Sequence, residues 1–410
     1  MIARKRLYIF TMSKRVQPEI ETFARIRVVG IGGSGGNAVN HMINSKVRGV
    51  EFVAINSDAQ DLHRSLARKK IHIGKNLTRG LGTGMNADLG KRAADETRQE
   101  IQEALQNSDM VFITCGMGGG TGTGAAPIIA KIAKELGALT VAVVTRPFSF
   151  EGSQRSKIAE QGLLDLKKEV DAFIIIPNDK LLAIVDQKTS AKSAFAMCDE
   201  VLRQAVEGVS DIITTAGEIN ADFNDIKAIM ESAGPALMGI GVADGDSRAK
   251  EAAQRAINSP LLDISINGAR GVLFVIAGKD DLGILEIQEA AEVIRETVDK
   301  EAKIIFGVMR DEKLKSGQIR LIVIATGFPE RLGEYIGHGR SLFSMGPKEQ
   351  EETKGKIYNE VLKREAKEKE EPKVEAKPAE REEVPPPAVP VPDQEDAWGM
   401  IPGILRRHKK

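Results

Sequence analysis

The chain has 410 residues, with 58 Lys+Arg against 58 Asp+Glu and a formal net charge of zero, so it lacks the basic excess of a generic nucleic-acid binder. Two cysteines cannot build a disulfide framework and suit a reducing compartment. Only 4% of residues are aromatic, and Tyr8, Tyr335, Tyr358 and Trp398 all fall outside 25–330, so that stretch must build its core from aliphatics, Ala and Phe.

The basic opening Met1-Ile-Ala-Arg-Lys-Arg6 is followed by an apolar stretch, Leu7–Met12, too short for a signal peptide and without a small-residue cleavage site. Residues 1–24 are therefore expected to be a disordered arm. Short β-branched runs at Ile26–Val29, Phe52–Asn56, Met110–Thr114, Leu139–Val144 and Phe173–Ile176 alternate with helical stretches at Asn37–Ser45, Leu89–Gln106 and Ala125–Leu136. Alternation of this kind predicts a parallel α/β sheet over 25–192. Ala194, Cys198, Val201, Leu202, Ala205, Val209 and Ile212 keep helical spacing, which predicts one long helix within 193–216. A smaller α/β domain is expected over 217–330, with strands near Leu237–Val242, Val272–Ile276, Ile304–Val308 and Ile319–Ala325 and helices at Asp225–Ser232, Ser247–Asn258 and Gly283–Val298. Pro347–Pro392 is rich in Glu, Lys and Pro with almost no large apolar residue, and 331–392 reads as a disordered linker to a terminal peptide, 393–410. The apolar runs Ala172–Pro177 and Gly271–Gly278 are far shorter than the ~18–20 residues of a membrane span. A cytoplasmic protein is expected.

Seventeen of the 40 glycines lie between Gly30 and Gly124, clustered after strands. Gly30-Ile-Gly32-Gly33-Ser34-Gly35-Gly36-Asn37 follows the first strand and opens a helix, where backbone N–H groups and the helix dipole can meet a phosphate. Gly30-x-Gly32-x-x-Gly35 formally matches the dinucleotide fingerprint, and Asp58, after the next strand, stands where a ribose-binding acid would. A tight βα turn explains that cluster equally simply. The second cluster, Gly116-Met-Gly-Gly119-Gly120-Thr121-Gly122-Thr123-Gly124, asks for more, since no ordinary turn needs six glycines and two threonines in nine residues. Two anion cradles at neighbouring strand ends point to several phosphates, and no Gly-x4-Gly-Lys-Ser/Thr P-loop occurs. A third glycine-rich loop, Thr78–Gly84, reads alone as a surface loop.

Taken together, Gly32–Asn37, Thr78–Gly84, Gly116–Gly124, Pro147-Phe-Ser-Phe-Glu-Gly-Ser-Gln-Arg155, Pro177-Asn-Asp179 and Asn220-Ala-Asp-Phe-Asn-Asp225 resemble the FtsZ family of tubulin-like bacterial cell-division GTPases, in matching order over about 25–330. The resemblance implies GTP or GDP as ligand, with Gly32, Gly33, Ser34, Gly35, Gly36, Asn37, Gly84 and Gly119–Thr123 around the phosphates. It places Glu151 and Arg155 near the ribose, Phe195 at the base, and Asp199 with Asn37 on guanine, while Asn178, just after a strand, suits a nucleotide-site residue and a polar strand-end turn equally. A carboxylate can accept from both N1–H and the N2 amine of guanine, which adenine lacks. From spacing alone, Asp199 would be a solvated helix residue and Phe195 simple core.

The loop Asn220–Asp225 has a plain structural account, with Asp222 as helix N-cap and Asp225 in the first turn. The resemblance adds a sharper one. Asp222 and Asp225, placed by Asn220, enter the neighbouring subunit's GTP site and polarise the attacking water, so the chain forms a head-to-tail homopolymer and hydrolysis belongs to the polymer. Phosphoryl transfer implies Mg²⁺, held mainly by phosphate oxygens and water with no dedicated protein cage. In the tail, Trp398, Ile401, Ile404 and Leu405 share one side of a helical wheel, beside Pro402 and Arg406, as in a groove-docking peptide. Ile401–Arg407 resembles the family's terminal peptide, which binds membrane anchors (FtsA-like) and regulators. Met400 and Ile404 depart from it, standing where an acid and an aromatic are usual. The whole predicts a filament of the bacterial division ring, at mid-cell beneath the membrane.

Overall fold

The computed structural model describes residues 24–182, 189–214, 221–262 and 265–328. In chain order its strands are β1 Ile26–Ile31, β2 Val50–Asn56, β3 Lys69–His72, β4 Met110–Gly116, β5 Leu139–Arg146, β6 Ala172–Pro177, β7 Gly234–Asp244, β8 Gly271–Gly278, β9 Lys303–Arg310 and β10 Gln318–Thr326. The helices are α1 Gly32–Asn44, α2 Ala59–Arg64, α3 Lys75–Thr78, α4 Ala87–Glu96, α5 Arg98–Leu105, α6 Thr121–Glu135, α7 Ser153–Glu169, α8 Asn178–Leu182, α9 Ala191–Thr214, α10 Phe223–Met230, α11 Arg248–Ile257 and α12 Ile284–Thr297.

The strands order as β3-β2-β1-β4-β5-β6-β7-β10-β8-β9 in one sheet. From β3 to β7 all neighbours are parallel, and β10 runs antiparallel to both β7 and β8. The two halves meet at a short ladder, Ala172 to Ile174 of β6 against Gly234 to Ala236 of β7. Sequence order reverses between β1 and β4, which opens a crevice at their carboxyl ends, where doubly wound sheets bind ligands.

Strand residues alternate between two buried layers. Val28, Ala54, Phe112, Val141 and Ile174 face a core shared with α1, α9 and α10, whereas Val29, Val53, Ile113, Ala142 and Phe173 face α4–α7. A third core lies between α11, α12 and the second half of the sheet. Helix α9 belongs to both halves: Val206, Val209 and Ile212 are buried in one cluster with Val143 of β5 and with Val275, Ile305 and Ile322 of β8–β10. Ion pairs reinforce that joint. Glu207 of α9 accepts from Arg203 and lies 3.6 Å from Lys313 and 3.9 Å from Arg320, while Arg320 reaches Asp311 at 2.8 Å.

Several elements differ from the sequence reading. Helices α1 and α6 begin at Gly32 and Thr121, inside the glycine clusters, rather than after them. The expected single helix Leu89–Gln106 breaks at Thr97, whose hydroxyl turns back to the Ala93 carbonyl and accepts the Gly74 N–H. Strand β3, with two lysines in four residues, has no apolar alternation to announce it. The start of α1 rests on close backbone packing: a Cβ on Gly35 would lie 2.4 Å from the Thr114 carbonyl oxygen of β4. Gly35→Ala is therefore expected to lose about 2 kcal/mol of stability or more, read as a lower urea midpoint with an unchanged slope. An unaltered midpoint would show that this contact does not set the helix position.

Candidate nucleotide site

The crevice is built where α1 and α6 start side by side. Neither helix has a side-chain N-cap, because Ile31 and Gly120 hold the capping positions. Their first N–H groups are thus left for another acceptor, and the two helix dipoles add positive potential. The starts are nearly in contact: a Cβ on Gly32, which has φ +70°, would sit 3.1 Å from the Gly122 nitrogen. Only glycine meets both the left-handed backbone and that approach.

Hydroxyl groups tie the loops together. Thr121 Oγ1 lies 2.6 Å from Ser57 Oγ and 3.2 Å from Thr83 Oγ1, so the third glycine loop is fastened to the second. Thr123 Oγ1 accepts the Gly118 N–H at 2.9 Å. On the far side, Arg155 pairs with Glu151 at 2.8 Å, and Glu151 also accepts the Phe148 N–H. Phe195 of α9 meets Phe148 edge-on with centroids 5.4 Å apart and keeps 46% of its surface exposed. Asn178, at the end of β6, has a buried Oδ1 with no partner among the described residues. Burial pushes the carboxyl of Asp199 up to about 6, against the opposing pull of His41.

The resulting cleft has a volume of about 460 Å³, within the range of small-molecule sites. Of the residues anticipated from sequence, Gly32, Gly33, Ser34, Asn37, Gly119, Gly120, Thr121, Gly122, Glu151, Arg155, Asn178, Phe195 and Asp199 line it together. Others have different places. Gly35 is packed against β4 and Gly36 faces open space. Asp58 caps α2, accepting from the Gln60 and Asp61 nitrogens, and Thr123 is spent on the loop's own hydrogen bond. Gly84, at φ +55°, shapes the third loop without lining the cleft. Sequence reasoning missed Thr83, Met117, Thr145, Cys198 and Leu202 as lining residues. Cys198 and Leu202 carry the helical spacing of Asp199 minus one and plus three, a signal that reads equally as core.

The acid loop lies elsewhere. Asp222 is the N-cap of α10, its carboxylate accepting the Asn224 N–H at 3.2 Å, and Asp225 lies 3.6 Å from Lys303, the first residue of β9. Both acids are exposed, while Asn220 falls outside the described residues. From Asp199 at the cleft, α9 continues to Thr214, about 22 Å farther at 1.5 Å per residue. Thr214 packs against Gly49, just before β2, at the end of the parallel sheet opposite the cleft. The acids follow that end of α9, so the phosphate loops and the acids occupy opposite ends of the chain.

Uncapped paired helix starts at the switch point of a doubly wound sheet define a nucleotide-binding α/β protein. Residues 25–186 match the Tubulin/FtsZ family, GTPase domain, and residues 234–329 match the FtsZ family, C-terminal domain. The chain belongs to the tubulin/FtsZ family and is a GTPase of the FtsZ type. It is 49% identical to M. jannaschii FtsZ in two solved structures: an empty dimer, with 75% of this chain and 89% of that one covered, and a point mutant, with 75% and 92% covered, both at a TM-score of 0.72. CetZ2 from Haloferax volcanii shares the fold at 21% identity and a TM-score of 0.64, over 76% of this chain and 96% of that one. The dinucleotide-binding alternative that Gly30–Gly35 and Asp58 left open is thereby removed.

Asp199 gives the empty site a pH signature. Its folded carboxyl titrates near 6 rather than at the ordinary 3.8. Between those values the native state holds the extra proton, so this group's contribution to stability declines as pH rises through the window. Asp199→Asn should remove that slope, with its stability relative to wild type growing from pH 4 to pH 7 in urea titrations of nucleotide-free protein. A flat difference would show that burial does not strain the carboxylate.

Proposed function

We propose that this chain binds GTP in the cleft, assembles head to tail, and hydrolyses the nucleotide only when the next subunit brings its acid loop to the γ-phosphate. One observation carries the reading: the phosphate cradle and the exposed pair Asp222 and Asp225 lie at opposite ends of one chain, too far apart to act on the same bound nucleotide. In the assembled pair the carboxylates orient and polarise the attacking water, Asn220 helps to place them, and the α1 and α6 N–H groups hold the phosphate charge. The N-cap hydrogen bond of Asp222 fixes the direction of its side chain before any neighbour arrives. The solved dimer of the 49% identical M. jannaschii FtsZ supports self-association.

The nucleotide contacts follow the cleft. Gly32, Gly33, Ser34 and Gly119–Gly122 surround the phosphates, Glu151, Arg155 and Asn178 the sugar, and Phe195, Asp199 and Asn37 the guanine. The unpartnered Asn178 oxygen fits a hydroxyl donor such as a ribose provides. Among the described residues lining the cleft, Arg155 is the one cation, and it is already paired with Glu151. Backbone dipoles therefore need a further positive charge against a triphosphate, which Mg²⁺ would supply through phosphate oxygens and water. Because guanine reading needs the ionised Asp199, GDP affinity should weaken toward pH 5, by up to about tenfold per pH unit, in equilibrium binding; an affinity that stays level would remove Asp199 from base recognition.

We place the filament in a cytokinetic ring beneath the membrane, in the cytoplasm, without tying it to a bacterial cell, since the FtsZ at 49% identity comes from M. jannaschii. The peptide Trp398–Arg406, outside the described residues, would dock to FtsA-like anchors and regulators. Sedimentation tests the core of this reading. With GTP and Mg²⁺, wild type and Asp222→Ala should both pellet, GDP should pellet neither, and phosphate release should persist only in wild type and rise steeply with concentration. Normal hydrolysis by the variant would overturn the shared site. The lone Trp398 offers a second check: its fluorescence should shift when an anchor domain binds and hold steady on GTP addition.

A further inference from the structure

One end of the sheet carries a groove that the nucleotide site and the acid loop do not use. It has a volume of about 530 Å³ and is lined by Ile43 and Val47 at the end of α1, Val50 and Phe52 of β2, and Leu66 before β3. Leu66 is 51% exposed there. The backbone beside the groove is also incomplete. Strand β3 pairs with β2 only from Val53 onward, through Val53–Lys69 to Asn56–His72. On its other side β2 is paired from its first residue, Val50 against Ile26. The outer edge of Val50–Phe52 therefore has no strand partner among the described residues, and such an edge is a template for another extended segment.

We infer that the N-terminal segment Leu7–Met12 of the same chain docks in this groove as an extra short strand on the free edge of β2. Leu7-Tyr-Ile-Phe-Thr-Met12 is the apolar part of an otherwise polar arm, and β-branched and aromatic residues are the ones that suit a pleated, half-buried surface. No part of the GTPase reading uses it. The chain also enters the fold in the right place: Arg25 is anchored through its N–H to Asp109 at 2.7 Å, and the next residue, Ile26, stands one strand away from Val50 on the groove wall. The eleven residues 13–23 can span roughly 35 Å when extended, enough to return the segment across two strand spacings of about 5 Å each. Main-chain bonds to the β2 edge would give the affinity, and alternate side chains, Tyr8 and Phe10, would fill the groove. Arg68 and Lys69 at the rim, next to Val53, repel Arg4–Arg6 and favour a strand parallel to β2, with the basic triplet at the far end.

Two measurements on the full chain with GDP test this. In hydrogen exchange, the amides of the Val47–Phe52 peptide should exchange about tenfold faster in a Tyr8→Asp, Phe10→Asp double variant than in wild type, as expected when a local pairing is lost. Equal exchange would overturn the docking. In the second, Phe10→Cys combined with Leu66→Cys should form an intrachain disulfide much faster than Phe10→Cys combined with Ile284→Cys, whose partner position is exposed but distant in sequence and fold. Natural Cys115 and Cys198 are buried and should stay reduced. Equal rates for the two pairs, or a disulfide between chains in place of one within the chain, would overturn the assignment to the chain's own arm.

Discussion

Two helix starts that nearly touch, α1 at Gly32 and α6 at Thr121, are the constraint on which the rest of the site depends. Backbone N–H groups can be offered to a polyphosphate only if side chains do not take them first, and the capping positions hold Ile31 and Gly120, which cannot. The helices can begin this close only because Gly32 and Gly122 have no Cβ, and α1 can lie this near β4 only because Gly35 has none. Hydroxyls from Ser57 and Thr83 then tie the loop after β2 and the third glycine loop to Thr121 at the start of α6. The cost is a helix opening on glycines, poor helix formers, which tertiary packing must hold in place.

Helix α9 turns that cradle into part of a longer device. Its first turns present Phe195 and Asp199 to the cleft, and its last turns are buried between the two halves of the sheet. Along its length the ion pairs of Arg203 and Glu207 reach Lys313 and Arg320 in the second half. The buried carboxyl of Asp211, pushed up to about 7 by burial and by neighbouring Glu207, belongs to the same cluster. A helix of 24 residues sets the nucleotide end and the acid end apart, and that separation is the structural basis of the proposal that a second copy completes the site.

The two ends of the chain's functional logic were legible in the sequence to different degrees. Glycine clusters after β-branched runs announced the strand–turn–helix units, since only a backbone needing close approach concentrates Gly and Thr so heavily. Hydrophobic spacing over Ala194–Ile212 announced α9 within a residue or two of its observed span. The split at Thr97 was hidden, because a hydroxyl that bonds to Gly74 and Ala93 leaves no mark on local periodicity. Strand β3 was hidden for the opposite reason, since its lysines sit on a sheet edge where solvent, not core, decides the pattern. The position of Asp58 after a strand suits a ribose acid and a helix cap alike, and the structure shows the cap, a role the spacing alone did not single out.

By itself the sequence determined the fold class, the phosphate chemistry and the family, because these follow from local spacing and from residue types that few other structures require. It also isolated an apolar hexapeptide in the arm and a lone tryptophan in the tail. Only the tertiary structure decided which glycines carry contacts and which carry packing, and that one sheet runs through both halves. Those outcomes depend on distances between residues remote in the chain, and no one-dimensional pattern records such distances.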